Sequence, residues 1–250
     1  MRFVALILAL PLTAVPLAAC SFTSSGEDSK PGIAGSGSGT TRSYSVADFT
    51  GVELRGSDDV DVRVGTGFSV RAEGPSEQLD KLKIERVGDT LRVGRINGNS
   101  FSWGSGDHKG VKIFVTMPRI AEASIAGSGD MAVDRVEGQS FNGSSAGSGN
   151  LEVAAINVET GKFSIAGSGD IGLKGSAKKL TIDIAGSGGV DAPGLTAQGA
   201  EVSIAGSGSV RATVKGGAAV SMMGSGDVDL GPDAKCATSK MGSGDVRCGS

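Results

Sequence analysis

The feature that most constrains this chain is a triplet. Gly-Ser-Gly recurs in register with its first glycine at Gly127, Gly147, Gly167, Gly186, Gly206, Gly224 and Gly242, at intervals of 20, 20, 19, 20, 18 and 18 residues. A near-fixed period of this length signals stacked structural units. The flanking residues align in columns. Two places after the second glycine stand Met131, Leu151, Ile171, Val190, Val210, Val228 and Val246. Four places after it stand Val133, Val153, Leu173, Ala192, Ala212, Leu230 and Cys248. The intervening column is mixed: Ala132, Glu152, Gly172, Asp191, Arg211, Asp229 and Arg247. Apolar, mixed, apolar is the signature of a strand with one buried face. Before the triplet, the column Ile125, Ser145, Ile165, Ile184, Ile204, Met222 and Lys240 points inward. The preceding column, Ser124, Ser144, Ser164, Asp183, Ser203, Ser221 and Ser239, points outward.

Each period therefore reads as strand, glycine corner, strand, turn. Twenty residues are too few for a β-α-β unit but enough for one coil of a solenoid, and glycine supplies the conformation that a tight corner needs. The expected fold is all-β, a right-handed parallel β-helix, because parallel crossovers strongly prefer that hand. Residues 42–250 form one domain in this reading. At about 20 residues per coil they give about ten coils, a rod near 50 Å long at about 4.8 Å per strand. The first half carries the same idea with weaker punctuation: Val52-Glu53-Leu54 leads into Gly56-Ser57-Asp58, and residues 60–64 alternate. Further strands are expected at 91–93 and 111–115, while 79–84 reads equally as a helical turn or a strand.

Phe49 before Val52-Glu53-Leu54, the segment 111–118 and the run of Ser-x-Ala-Gly-Ser-Gly-Asp coils resemble the head GIN domain family, the auto-transporter-adhesin-like proteins of bacterial envelopes. The resemblance covers roughly residues 42–250. It implies a right-handed β-helix on an exported, often lipid-anchored chain, and it supplies no catalytic residue.

The start of the chain agrees with export. Arg2 is the only charge before Glu27, and residues 3–19 are almost wholly apolar, broken by Pro11, Thr13 and Pro16. This is a signal-peptide core rather than a membrane span. It ends in Leu17-Ala18-Ala19-Cys20, which resembles a lipoprotein cleavage box, so residues 1–19 are the expected signal peptide and Cys20 the lipid-attachment site. The alternative is a soluble secreted chain with Cys20 a spare thiol. Ser21 in place of Asp favours the outer membrane, on a periplasmic or surface side that the sequence leaves open. Residues 20–41 are Gly/Ser-rich and read as a tether. Cleavage removes Arg2 alone, leaving 23 basic and 27 acidic residues, net −4. That balance excludes a nucleic-acid binder driven by bulk positive charge.

Few residues invite chemistry. Asp130, Asn150, Asp170, Gly189, Ser209, Asp227 and Asp245 follow the triplets. Calcium needs six to eight oxygens, which alternating Asp and neutral residues do not supply, so no metal and no cofactor is expected. Hydrogen bonding to turn amides is the plainer role. A serine nucleophile needs an adjacent base, and His108 is the sole histidine. Phe101, Trp103 and His108 lie in the Gly-rich segment 97–110, either a projecting contact loop or, preferred, an apolar flap over one side. Lys178-Lys179 is an isolated basic pair on a mixed, solvated face. Cys236 and Cys248 both count as inward on the two strands flanking the last corner, and an oxidising compartment would close them into a disulfide. Lys240, inward by register, reads as a polar cap on the last coil.

The expected function is a non-catalytic, lipid-anchored envelope β-helix that makes many weak contacts with a protein or glycan surface. Two rivals stand: a polysaccharide-acting enzyme, which would need two acids about 5–10 Å apart in a cleft, and a self-associating structural spacer.

Overall fold

The computed structural model describes residues 31–96 and 110–249. From residue 122 onward the chain winds as a parallel β-solenoid of about six turns, about 20 residues each. Equivalent strands pair in register along the axis. Glu122–Gly127 pairs with residues 142–147, these with 162–167, then 181–186, 200–206, Gly217–Gly224 and Lys235–Met241. Beyond the corner, Met131–Val133 pairs with 151–153, and the same column continues to Val246–Arg247. The inward columns form one continuous core, in which Ile165, Ile171, Ile184 and Ile204 are all buried.

The corner explains why the repeat is Gly-Ser-Gly. The carbonyl of Gly127 accepts hydrogen bonds from the amides of Ser148 and Gly149, at 2.9 and 3.1 Å, and the same pair of bonds recurs at later corners. Each first-glycine carbonyl thus points into the next corner. A Cβ on Gly147 would collide with Gly127 O, and one on Gly149 with Gly129 O. The first glycine also has positive φ, 129° at Gly147 and 132° at Gly242. Only glycine meets both demands. The stack of corners begins at Gly56, whose carbonyl accepts the amides of Ser128 and Gly129.

The expected ten coils are an overestimate. Seventy-one residues separate Gly56 from Gly127, yet these are adjacent corners. The intervening chain builds a cap instead of coils. Gly51–Gly56 does pair in parallel with Thr90–Arg95, and Asp59–Val64 with Lys112–Met117. Three antiparallel pairings then close the end: Thr41–Tyr44 with Ser69–Glu73, Ser69–Glu73 with Lys112–Met117, and Leu82–Val87 with Thr90–Arg95. Alternation marks strands but not their direction, so the sequence pattern counted these as coils. Residues 79–84, open between helix and strand, are split: the short helix Ser76–Leu79 is followed by Leu82–Val87. Phe49 and Phe68, with ring centroids 4.9 Å apart, fill the cap.

Part of the segment 20–41, expected as a tether, is built into the cap instead. Gly35–Ser36 pairs antiparallel with Thr41–Tyr44, and the Ile33 amide donates to Ile84 O at 2.7 Å. Backbone pairing needs no apolar side chain, so composition hides it.

Coil length varies without disturbing the core. The register shifts fall between Val153 and Ile156, Gly172 and Lys174, and Ala192 and Thr196. All lie at the bend around the second inward residue; the last moves the register by three residues, from Ala192↔Ala212 to Thr196↔Thr213, and one is regained before Ala200 pairs with Ala218.

Candidate functional site

The same bend also borders a groove of about 720 Å³. One bank is the column that follows each triplet. There the side chain of one coil holds the backbone of the next. Asp130 Oδ1 accepts from the Asn150 amide at 2.8 Å, Asn150 Oδ1 from Asp170 at 2.9 Å, Asp170 Oδ1 from Gly189 at 2.7 Å, and Asp227 Oδ1 from Asp245 at 3.0 Å. The acids are therefore rungs of an axial ladder. The amides they bind belong to the neighbouring coil rather than to their own turn.

The floor of the groove is the mixed column. Asp191, Arg211, Asp229 and Arg247 stack as acid, base, acid, base. Arg211 Nη1 lies 3.4 Å from Asp191 Oδ1, both side chains about two-thirds exposed. Gly172 leaves a notch where the Glu152 carboxylate lies, in contact with the position a Cβ would take. Lys174 and Pro193 form the opposite bank. The surface offers charges of both signs and hydrogen-bonding groups, repeated at about the strand spacing of 4.8 Å. Exposed ion pairs of this kind contribute little to stability, which leaves their charges open to a partner.

A smaller hollow of about 460 Å³ lies over the next face. Its column runs Glu137, Asn157, Ser176, Thr196, with Ser176 Oγ donating to Asn157 Oδ1 at 3.0 Å. Lys178 pairs with Glu159 on its rim at 2.5 Å, and Lys179 with Glu201 at 3.6 Å, so the expected basic pair is divided between two acids. The third face is the serine column, where Ser144 Oγ donates to Ser124 Oγ at 2.9 Å. Above it sits Glu53. Burial alone would raise the Glu53 pKa, but hydrogen bonds from Arg92 and Arg55, both 2.7 Å, and their charges outweigh burial and hold the carboxyl below its ordinary range. The Tyr44 hydroxyl is pushed up, chiefly by burial.

Of the residues singled out in the sequence, Cys20, Phe101, Trp103 and His108 lie outside the described residues. Cys236 and Cys248 are joined, with Cα atoms 6.2 Å apart. Lys240, on the open end, donates from Nζ to Gly244 O at 2.7 Å. Sequence reasoning passed over Asp58. It is buried and binds Arg95, with Nε 2.9 Å from Oδ2, and the Val111 amide at 3.1 Å. It thereby ties the strand leading into residues 97–109 to the one leading out. The signal was present as Gly56-Ser57-Asp58, the one corner where aspartate replaces the second glycine.

A family model described as "Putative auto-transporter adhesin, head GIN domain" matches residues 48–233. Among solved structures, the fold is similar to a protein described as a "putative adhesin" from Bacteroides fragilis, with TM-score 0.76, 22% identity, and 83% of this chain and 95% of that one covered. It is also similar to a "Putative lipid binding protein" from Parabacteroides distasonis, with TM-score 0.65, 24% identity, and coverage of 86% and 98%. A "putative adhesin" from the same species gives TM-score 0.68 at 18% identity, covering 86% and 99%. No curated protein matches the chain.

Proposed function

This chain belongs to the head GIN domain family, and from that premise we propose that it is a non-catalytic, adhesin-like contact module of the cell envelope. In this reading acylated Cys20 holds it to the membrane, and the rod displays the groove to a protein or glycan surface. The observation that carries the reading is the stack of acid and base side chains Asp191, Arg211, Asp229 and Arg247 along an open groove. Repetition at a fixed spacing suits a polymer or a surface, where many weak contacts act together. The described groove lining contains no aromatic ring, so it recognises by charge and hydrogen bonds rather than by stacking on sugar.

Two measurements test this. Mass spectrometry of the native N-terminal peptide should find an acylated Cys20; an unmodified Cys20 or cleavage elsewhere removes the anchor from the reading. Immobilised protein is then presented to purified envelope glycans, envelope proteins and lipid vesicles. Binding should weaken at least tenfold in the charge-reversed Arg211→Glu variant and fall steeply with added salt, because exposed charges are screened. Chain shortening of an offered glycan would favour an enzyme instead.

A further inference from the structure

We propose that the Cys236–Cys248 bond is a redox latch on the last coil, and that opening it turns the C-terminal end of the rod into a docking surface for a second copy of this chain. The last coil is held unlike the others. Among the described residues its strands, Lys235–Met241 and Val246–Arg247, pair on one side only, with Gly217–Met223 and with Val228–Asp229. Its inward positions are Cys236, Thr238, Lys240, Val246 and Cys248, so Val246 is the sole apolar side chain among them besides the two cysteines. The layer beneath is wholly apolar: Ala218, Val220, Met222, Val228 and Leu230 are at most 5% exposed. A coil with so little to bury gains little from packing. What holds it across the corner is the disulfide and the Lys240 contact with Gly244 O.

The latch opens by thiol–disulfide exchange with a dithiol reductant. A thiolate of the reductant attacks one cysteine sulfur, the S–S bond breaks, and a mixed disulfide forms. The second thiolate of the reductant displaces the remaining protein sulfur. The chain gains two electrons and two protons as two thiols, and the reductant leaves as a disulfide. Residues 235–249 are then free to leave the end of the stack.

Their departure uncovers the apolar layer together with the unpaired edge of Gly217–Gly224. That strand, Gly-Ala-Ala-Val-Ser-Met-Met-Gly, carries no charge. An uncharged edge does not repel an identical one, and two copies related by a two-fold axis pair such edges antiparallel. Met223, already 61% exposed, extends the apolar contact. In the closed state, Lys240 and Thr238 guard the end, as inward polar residues guard strand edges elsewhere.

The test compares the purified chain before and after dithiothreitol, and as the Cys236→Ser/Cys248→Ser variant, by hydrogen exchange and by light scattering after size exclusion. Reduction should speed exchange at least tenfold in 235–249 while 131–206 stay protected, and the mass should double. The double variant should behave so without reductant. Ala219→Lys, an exposed position on the edge strand, added to the double variant should leave the coil open and restore the monomer. The latch is overturned by unchanged protection of 235–249 with both thiols free, by loss of protection throughout, by an open coil on a monomeric chain, or by a dimer that survives Ala219→Lys.

Discussion

Ser145 sits in a column of isoleucines, and its hydroxyl settles by donating to Gly149 O at 2.6 Å. Lys240 makes the same bond four residues ahead, to Gly244 O. In neighbouring coils the branched methyls of Ile125, Ile165 and Ile184 pack where the second glycine of the next corner passes. Ser145→Ile should therefore exchange one hydrogen bond for apolar burial and stabilise by about 1 kcal/mol, read as a raised Tm. Ile184→Asp places an unpaired charge in the same column and should cost several kcal/mol; a variant that melts like the parent would mean that Ile184 does not point inward. Glu53 gives a pH signature. Its folded pKa is depressed, so its contribution is present above the unfolded value of 4.5 and is lost as pH falls through the folded one. Glu53→Gln should be less stable at neutral pH by the order of 1 kcal/mol. Its stability should also fall less steeply below pH 4.5 than that of the parent, as followed by urea midpoints across pH. The inward columns were legible because burial imposes period two. Of the two arginines that hold Glu53, Arg55 is two residues away on the same strand, but Arg92 was not legible, because it lies 39 residues away in sequence and meets Glu53 only through the cap pairing.

At the scale of elements, glycine corners announce coils, and their absence hides everything else. Gly143 and Gly161 illustrate a second, subtler use. A Cβ on either would meet the Phe163 ring, so these glycines make room for Phe163, whose centroid lies 6.0 Å from that of Phe141. The pairing crosses two coils and has no signature in either alone. The cap was misread for a related reason: hairpins and coils share the same alternation, and only long-range pairing distinguishes them. Asp58 joins the two regimes. A carboxylate fits at the second-glycine position of this corner because the next level up offers Arg95 and the Val111 amide in place of another glycine carbonyl. Asp58→Ala should leave the buried amide unpaired and Arg95 without its carboxylate, keeping only its bond to Gln78 Oε1, and should cost about 2–4 kcal/mol. Hydrogen exchange should show the loss first in Thr90–Arg95 and Lys112–Met117, with the distal coils unaffected.

For the whole molecule, the consequence is modularity. Each coil touches its neighbours above and below, so stability is close to a sum of coil and interface terms. Six turns at about 4.8 Å give a rod about 30 Å long beneath its cap, and nothing in the corner geometry fixes that number. The carbonyls of Gly186, Gly206 and Gly224 each lie against the first glycine of the next corner, and Ile184, Ile204 and Met222 stack in one column. Residues 187–206 begin and end at equivalent points of the repeat and carry no aromatic side chain. Repeating this segment once, with Asp191→Arg in the first copy so that acid and base still alternate along the groove, should insert one coil. Small-angle scattering should show the longest dimension growing by about 5 Å, with no loss of Tm, because the new coil buries both faces and adds no open end. A chain that keeps its length, or that melts earlier, would mean that the coils are coupled beyond their neighbours. The same insertion lengthens the charged groove by one rung. A partner that engages the groove as a ladder should then bind more tightly, whereas a partner confined to one corner should not respond.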